Sequence, residues 1–158
     1  KTGLATSACE KVIDAFEEHA GEALLARLKN DQVKRAEWLA ARERRHPVLA
    51  AVDSTGAVLG WASLNRFNPR PAYDHVADFS VYVERAWRGK GVGHRLLERL
   101  IELAREIGYH KMVLATFPTN TGGVQLYERL GFSRVGVYHE QGMLDGRWVD
   151  VLIMEKLL

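Results

Sequence analysis

The chain has 158 residues, of which 47% are hydrophobic and 27% are charged, and this length fits one domain with one sizeable core. We therefore expect a single domain over residues 1–158. The formal net charge is only +2, which argues against nucleic acid or a membrane surface as a partner.

Cysteine and histidine usage narrows the class of protein further. The lone Cys9 cannot form an internal disulfide, and the sequence contains no long apolar segment or secretory signal, so we expect a cytoplasmic protein. The spacing of the histidines predicts no metal site.

The basic cluster at residues 42–46 is typical of a solvated helix end rather than a nucleic-acid patch. Because the chain begins at Lys1 rather than Met, we expect native residues before it.

The first part of the chain has a mainly helical pattern. Residues 4–6 are a candidate first strand, and residues 12–16 place Val12, Ile13 and Phe16 on one apolar face. Residues 36–40 belong to a second, alanine-rich helix, which ends before Pro47 because the residue before a proline disfavours the helical conformation.

Strands follow the proline. Residues 48–52 and 58–64 predict two strands joined by a turn at 53–56, in which Gly56 adopts a positive φ. A third strand covers about 76–83. A helix with its apolar stripe at 96–104 follows and ends at Gly108. A strand at 111–116 and a helix at 120–130 come next. The last two strands, at 135–138 and 148–154, flank an Asp145-Gly146 hairpin turn. This order predicts an α/β (α+β) sandwich with a mixed, mostly antiparallel, centrally splayed sheet flanked by helices.

A glycine-rich turn lies between the third strand and the helix that follows it. Its glycines let successive backbone N–H groups turn toward one anion, and the helix that begins near Gly91 adds the positive end of its dipole. Arg88 and Lys90 add mobile charge at the rim. The turn therefore predicts a pyrophosphate-binding loop, although a glycine turn before any helix produces the same letters.

Two further motifs give this loop its context. Arg70-Pro71-Ala72-Tyr73 precedes it, and the segment from Asn120 to Phe132 follows it with the pattern N-x-x-x-x-x-L-Y-E-x-L-G-F. Together with the R-x-x-G-x-G letters that begin at Arg88, these motifs resemble the GNAT superfamily of acyl-CoA-dependent N-acetyltransferases. The resemblance implies a GNAT-like acyl-CoA N-acyltransferase fold and acetyl-CoA as the acetyl donor.

Within that superfamily the chain resembles the phosphinothricin and methionine sulfoximine acetyltransferase group. This likeness also rests on residues 77–83 and 145–150, and it is continuous from about Pro47 to the C-terminus. The chain departs from the group at Glu17-Glu18, which replace a tyrosine-asparagine pair. It departs again in a shortened loop at 21–30 and at Val149, where some members carry histidine.

The resemblance implies a set of residues that hold acetyl-CoA. The main chain of Val81 and Val83 pairs with the amide-containing arm of the cofactor, and an N–H near Val81 polarises the thioester carbonyl. Asn120 hydrogen-bonds the same arm or caps its helix, and both roles can hold together. The full candidate set is Val81, Tyr82, Val83, Arg88, Gly89, Lys90, Gly91, Val92, Gly93, His94 and Asn120.

Two side chains are candidates for proton transfer. Asp78 stands where the resembled group has a glutamate that deprotonates the amine through water, and its shorter side chain requires a closer substrate or a longer water bridge. Tyr127 stands where the superfamily has a tyrosine that protonates the leaving thiolate. The structural alternatives are a sheet-edge or turn carboxylate for Asp78 and a core aromatic for Tyr127.

The resemblance implies that Arg70 and Tyr73 belong to the substrate loop and bind the acceptor together with Asp78. A guanidinium in that loop can hold an amino-acid carboxylate. A solvated arginine is the alternative. We therefore predict an N-acetyltransferase that acetylates a small amino acid or an analogue by direct transfer, with a homodimer possible by resemblance. Acetylation of protein N-termini or polyamines, and a non-catalytic CoA-binding module, are the alternative functions.

Overall fold

The computed structural model describes residues 42–158. The elements predicted at 4–6, 12–16 and 36–40 lie outside the described residues, as do the departures at Glu17-Glu18 and 21–30. Residues 42–47 contain a turn and no helix. Arg42, which we expected to be solvated, is half-buried. Its Nε donates to the carbonyl of His46 at 2.8 Å, and its Nη2 donates to the carbonyl of Leu64.

Six strands and two α-helices follow in the predicted order. They are β1 (Val48–Val52), β2 (Val58–Arg66), β3 (Val76–Val83), α1 (Val92–Ile107), β4 (Lys111–Thr116), α2 (Thr121–Arg129), β5 (Ser133–Leu144) and β6 (Arg147–Leu157). Short 3-10 helices at Pro71–Tyr73 and Arg85–Trp87 precede β3 and α1. No helix within residues 42–158 is long and apolar enough to cross a membrane.

The strands form one mixed sheet in the order β1-β2-β3-β4-β6-β5. β3 and β4 run parallel because α1 connects them as a crossover, whereas β1–β2, β4–β6 and β5–β6 are antiparallel. The β3–β4 ladder joins only three Cα pairs and ends at Asp78↔Val113, although both strands continue. The mostly antiparallel, centrally splayed sheet expected from the sequence is therefore confirmed.

The C-terminal hairpin is longer than predicted. Asp145 and Gly146 both have positive φ, as the Asp-Gly turn requires. The strands extend beyond 135–138 and 148–154 because their pairing continues across register shifts at Arg134/Gly136 and Tyr138/Gly142. Bulges of this kind interrupt the two-residue alternation from which strand ends are predicted.

The described residues divide into two compact units, of which the first contains residues 42–64 and Val81–Leu97 and the second Asn65–Ser80 and Glu98–Leu158. In the described part of the first unit, the buried apolar side chains include Leu49, Ala62, Leu64, Leu96 and Leu97. In the second unit they include Ala77, Phe79, Leu100, Ile101, Ala104, Met112, Leu114, Phe132, Leu152 and Met154. The stripe predicted on α1 is thus its buried face.

Candidate active site

The first unit contains the predicted pyrophosphate-binding loop. Arg95 N donates to Gly91 O at 3.1 Å, so Gly91 stands at the N-cap of α1 and the N–H groups of Val92, Gly93 and His94 precede the first intrahelical donor. Gly91 has φ +84° and Gly89 has φ +72°, and a Cβ at either position would meet no atom within 4 Å. These two glycines are therefore required by backbone conformation rather than by crowding.

Both cations of the loop have an anchor. Arg88 Nε donates to the carbonyl of Val83 at 3.1 Å, which leaves the Nη groups of its guanidinium fork as further donors. Lys90 Nζ lies 4.8 Å from the centre of the Trp87 ring, a cation–π distance. Each of the two charges at the rim therefore has a contact within the first unit.

The main chain of β3 has a defined direction in the same unit. Glu84 N donates to Leu59 O of β2 at 3.0 Å, and a Cβ at Gly60 would lie 2.6 Å from Tyr82 O. Because successive peptide groups of a strand point to opposite sides, the main-chain groups of Val81 and Val83 point away from β2. This direction supports their predicted pairing with a ligand arm.

In the second unit, Asp78 lies inside the sheet. β3 is flanked by β2 and β4, so a sheet-edge or turn position is wrong for this carboxyl. Burial raises the pKa of Asp78 above its ordinary value, and the Phe79 N–H, which donates to Oδ1 at 2.7 Å, opposes part of that shift. A raised pKa makes the carboxylate a stronger base near neutral pH.

Tyr127 belongs to an aromatic cluster of the second unit. Its ring centre lies 5.9 Å from that of Phe79 and 6.1 Å from that of Phe132, both in edge contacts. Burial raises the pKa of the Tyr127 phenol, which keeps the hydroxyl protonated and able to donate. The ring therefore packs as a core aromatic, and the phenol hydroxyl keeps a proton that it can donate.

Asp78 and Tyr127 are not brought side by side. Side chains alternate between the faces of a strand, and Phe79 contacts Tyr127, so Asp78 projects from the opposite face of β3. The Asp78 carboxyl and the Tyr127 ring therefore lie on opposite faces of β3.

Asn120 acts as the N-cap of α2. Its Oδ1 accepts from Gly123 N at 3.2 Å and its Nδ2 donates to Thr116 Oγ1 at 3.1 Å. A Cβ at residue 123 would lie 2.4 Å from Asn120 Nδ2, so a side chain there would displace the Asn120 amide. The capping role is confirmed, and the contact with the cofactor arm stays a prediction.

The predicted substrate residues lie on an organised loop of the second unit. Arg66 donates to Pro69 O at 3.0 Å and lies 3.6 Å from an Asp74 carboxylate oxygen. Arg70 N donates to Asn68 Oδ1 at 3.0 Å, and the Arg70 side chain is exposed. Tyr73 packs edge-on against Phe67 with ring centres 5.7 Å apart.

The sequence analysis did not single out three residues that lie near the predicted site residues. They are Asn65, Phe67 and Ser80. Ser80 accepts from Asn65 Nδ2 at 3.0 Å on the face of β3 that carries Asp78, and Phe67 extends the aromatic surface of the loop. Polar residues at every second position of β3 were the available signal for Ser80.

Within residues 42–158, no group of three or more His, Cys, Asp or Glu side chains could hold a metal ion.

The first unit contains a glycine-capped helix start with open N–H groups, and the second unit contains a half-buried carboxyl and a half-buried phenol. These are the kinds of group that an acyl-CoA-dependent N-acyltransferase needs to bind a pyrophosphate and to move protons. The comparison with known families agrees. The chain belongs to the acetyltransferase (GNAT) family, whose pattern matches residues 26–132, and it is therefore an N-acetyltransferase.

Among its relatives is an L-methionine sulfoximine/L-methionine sulfone acetyltransferase of Pseudomonas paraeruginosa, 40% identical over 79% of this chain and 73% of the relative. Two solved structures are also similar. A phosphinothricin acetyltransferase of Sinorhizobium meliloti in complex with acetyl-CoA has a TM-score of 0.76, 25% identity and coverage of 98% and 85% of the two chains. A ribosomal-protein-alanine N-acetyltransferase of Brucella melitensis has a TM-score of 0.81, 29% identity and coverage of 99% and 98%.

Proposed function

We propose that this enzyme transfers the acetyl group of acetyl-CoA to the α-amine of a small amino acid or analogue, such as methionine sulfoximine or phosphinothricin. The observation that carries the chemistry is Asp78, a half-buried carboxyl with a raised pKa on the strand where the sheet splays. The 40% identity to the methionine sulfoximine/methionine sulfone acetyltransferase supports the choice of acceptor.

Acetyl-CoA supplies an activated acyl group as a thioester. The first unit would bind its pyrophosphate through the N–H groups that open α1 and through Arg88 and Lys90. The main chain of Val81 and Val83, which points away from β2, would pair with the amide-containing arm. Of the other cofactor candidates, Tyr82 lies in β3, Gly89 in the loop and His94 in the first turn of α1.

In the second unit, Asp78 would remove a proton from the acceptor amine, and Tyr127 would donate a proton to the leaving thiolate. Their positions on opposite faces of β3 suit these tasks, because the amine enters and the thiolate departs on different sides of the carbonyl carbon. No residue of the chain would carry the acetyl group covalently.

Arg70 would bind the carboxylate of the acceptor. Its backbone is held by Asn68, and the neighbouring Arg66 is already engaged by Asp74 and Pro69, so the exposed Arg70 guanidinium is the candidate for a bidentate ion pair. The Phe67–Tyr73 pair would supply an apolar surface beside it.

A thiol-release assay tests the proposal over amino acids, their decarboxylated counterparts, amines and peptides. We expect amino acids to be acetylated, and Arg70→Ala to raise their KM while leaving the decarboxylated acceptors nearly unchanged. Equal losses for both acceptor types would contradict carboxylate binding by Arg70.

Asp78→Ala tests the base in the same assay. The kcat/KM of the wild type should fall as the pH drops through the raised pKa of Asp78, because the carboxylate is then protonated. The variant should lose most activity near neutral pH and recover part of it at higher pH, where more acceptor amine is already neutral. A small, pH-independent loss would place the base elsewhere.

Acetylation of protein N-termini is the second candidate function, and the similarity to the ribosomal-protein-alanine N-acetyltransferase favours it. Turnover of an alanine-ended peptide with no turnover of free amino acids would support this alternative. CoA binding without turnover of any acceptor would support a non-catalytic module.

We also propose one cytoplasmic catalytic domain over residues 1–158 that acts on small molecules rather than on nucleic acid or membranes. A homodimer is part of this proposal. The exposed apolar side chains of the β5–β6 hairpin, Tyr138, Met143, Leu144 and Trp148, support it. Analytical ultracentrifugation of the wild type and of Trp148→Glu tests it, since the variant should dissociate.

A further inference from the structure

One face of β3 carries a polar residue to which the proposed chemistry assigns no role. Asp78 and Ser80 lie two positions apart and share this face, and both are half-buried. The β3–β4 ladder ends at Asp78. Ser80 therefore lies just beyond the point at which the two strands separate, on the side from which Asp78 would meet the amine.

Asn65 orients the Ser80 hydroxyl. It stands near the end of β2, and its Nδ2 donates to Ser80 Oγ at 3.0 Å. A hydroxyl group that accepts a hydrogen bond still has its own proton to donate. Because Asn65 occupies a lone pair of Oγ, the O–H of Ser80 is directed away from the Asn65 amide.

The spacing of the two residues suits one bridging water. Positions i and i+2 of a strand are roughly 6.6 Å apart along the chain, and two hydrogen bonds of about 2.8 Å through a water oxygen cover most of that span. The Asp78 carboxyl is separated from its Cα by a single methylene. A carboxyl with a shorter reach depends more strongly on a well-placed water.

We propose that Ser80, oriented by Asn65, holds the water through which Asp78 removes the proton of the acceptor amine. The inference rests on the proposed function. The ammonium nitrogen releases one proton to the water oxygen, and the water releases one of its own protons to Oδ2 of Asp78. The water is regenerated, the nitrogen keeps its electron pair for attack, and Ser80 donates to the water oxygen without changing its protonation.

The electrostatic surroundings of Asp78 agree with a water-mediated step. Its pKa is raised by burial and lowered by the Phe79 N–H, and no charged side chain among residues 42–158 contributes to the shift. Uncharged groups therefore have to position the proton acceptor, and Ser80 and Asn65 are uncharged side chains on its face.

Ser80→Ala is the direct test. We expect kcat/KM for the acceptor to fall on the order of tenfold near neutral pH, about the effect of one lost hydrogen bond, and to approach the wild-type value at high pH. The KM for acetyl-CoA and the Tm should stay unchanged. Ser80→Thr keeps the hydroxyl and should restore most of the rate. Ser133→Ala, at an exposed serine of β5 whose hydroxyl donates to Glu155 O, is the matched control and should match the wild type.

A double-mutant cycle separates water positioning from packing. Asp78→Glu extends the carboxyl by one methylene, so Ser80→Ala should cause a loss several-fold smaller in that background. Asn65→Ala should lower kcat/KM with the same pH dependence and should add nothing once Ser80 is alanine.

Three results would overturn the inference: a loss in Ser80→Ala that is equal at every pH, a Ser80→Thr variant that folds normally yet is as slow as Ser80→Ala, or additive effects of Ser80→Ala and Asp78→Glu. A wild-type chain that acetylates no amine of the panel would instead overturn the proposed function. The two failures are therefore distinguishable.

Discussion

The two described helices begin in opposite ways. At α1 the N-cap is Gly91, which has no side chain, so the first N–H groups of the helix are left for an external acceptor. At α2 the N-cap is Asn120, whose Oδ1 accepts from Gly123 N. The side chain of one residue thus decides whether the first N–H groups of a helix include one that is capped within the chain or all remain as donors.

The two helices also differ in what they carry. The start of α1 contributes main-chain donors and anchored cations, which suit binding of a phosphate group. α2 carries Tyr127 about two turns after its cap, with the ring packed against Phe79 and Phe132. If Tyr127 donates a proton, as proposed, its ring has to be held in one orientation, and a capped helix with a packed ring favours one orientation. We therefore expect changes at α1 to affect binding and changes at α2 to affect turnover and stability.

Tyr127→Phe should produce the largest effect. It removes only the hydroxyl, so kcat should fall on the order of tenfold to several hundredfold, within the range of positioned proton donors, with little change in acetyl-CoA affinity. Steady-state kinetics and a binding titration measure both quantities. An unaltered kcat, in an assay limited by the chemical step, would leave Tyr127 with a packing role only.

Gly91→Ala should weaken acetyl-CoA binding on the order of tenfold, because a residue with Cβ disfavours the positive φ that presents the N–H groups. Gly108→Ala is the matched control, since Gly108 also has a positive φ, +91°, and no atom within 4 Å of a Cβ. Both variants should lose similar stability, and only Gly91→Ala should raise the Kd. Similar Kd values for the two variants would contradict the prediction that the pyrophosphate binds at the start of α1.

Asn120→Ala should lower the free energy of unfolding by about 1 kcal/mol, the usual effect of losing a side-chain N-cap. Thermal or denaturant unfolding measures this loss. If Asn120 also contacts the cofactor arm, the KM for acetyl-CoA rises as well. Asn120→Asp keeps the oxygen that accepts from Gly123 and should retain most of the stability, and an Asp variant as unstable as the Ala variant would contradict the capping account.

Trp87→Leu should have the smallest effect. It removes the ring beneath Lys90, and an exposed cation–π contact contributes about 0.5–1 kcal/mol, so the KM for acetyl-CoA should rise about two- to fivefold. Trp87→Phe keeps an aromatic face and should recover part of the difference. A Leu variant with the wild-type KM at low ionic strength would show that Trp87 does not position Lys90 for the ligand.

Local pattern was sufficient for the order of the elements and for the kind of site. The alternation in β3, the apolar stripe of α1 and the Asp145-Gly146 turn depend on neighbours a few residues away, so each was predicted with its type and approximate bounds. The R-x-x-G-x-G letters and the Asn120–Phe132 motif predicted the family for the same reason, because each motif is a continuous stretch of chain.

Contacts between distant segments had no such signal. The anchoring of Arg88 by Val83 and of Arg42 by Leu64, the hydrogen bond from Asn65 to Ser80 and the contact of Phe79 with Tyr127 join residues whose proximity is set by strand register and helix packing. The same is true of the hairpin bulges, which lengthen β5 beyond its apolar run. A short-range pattern indicates which face of a strand or helix a residue occupies. Only the folded chain brings distant groups together on that face. Their packing buries Asp78, and this burial raises its pKa.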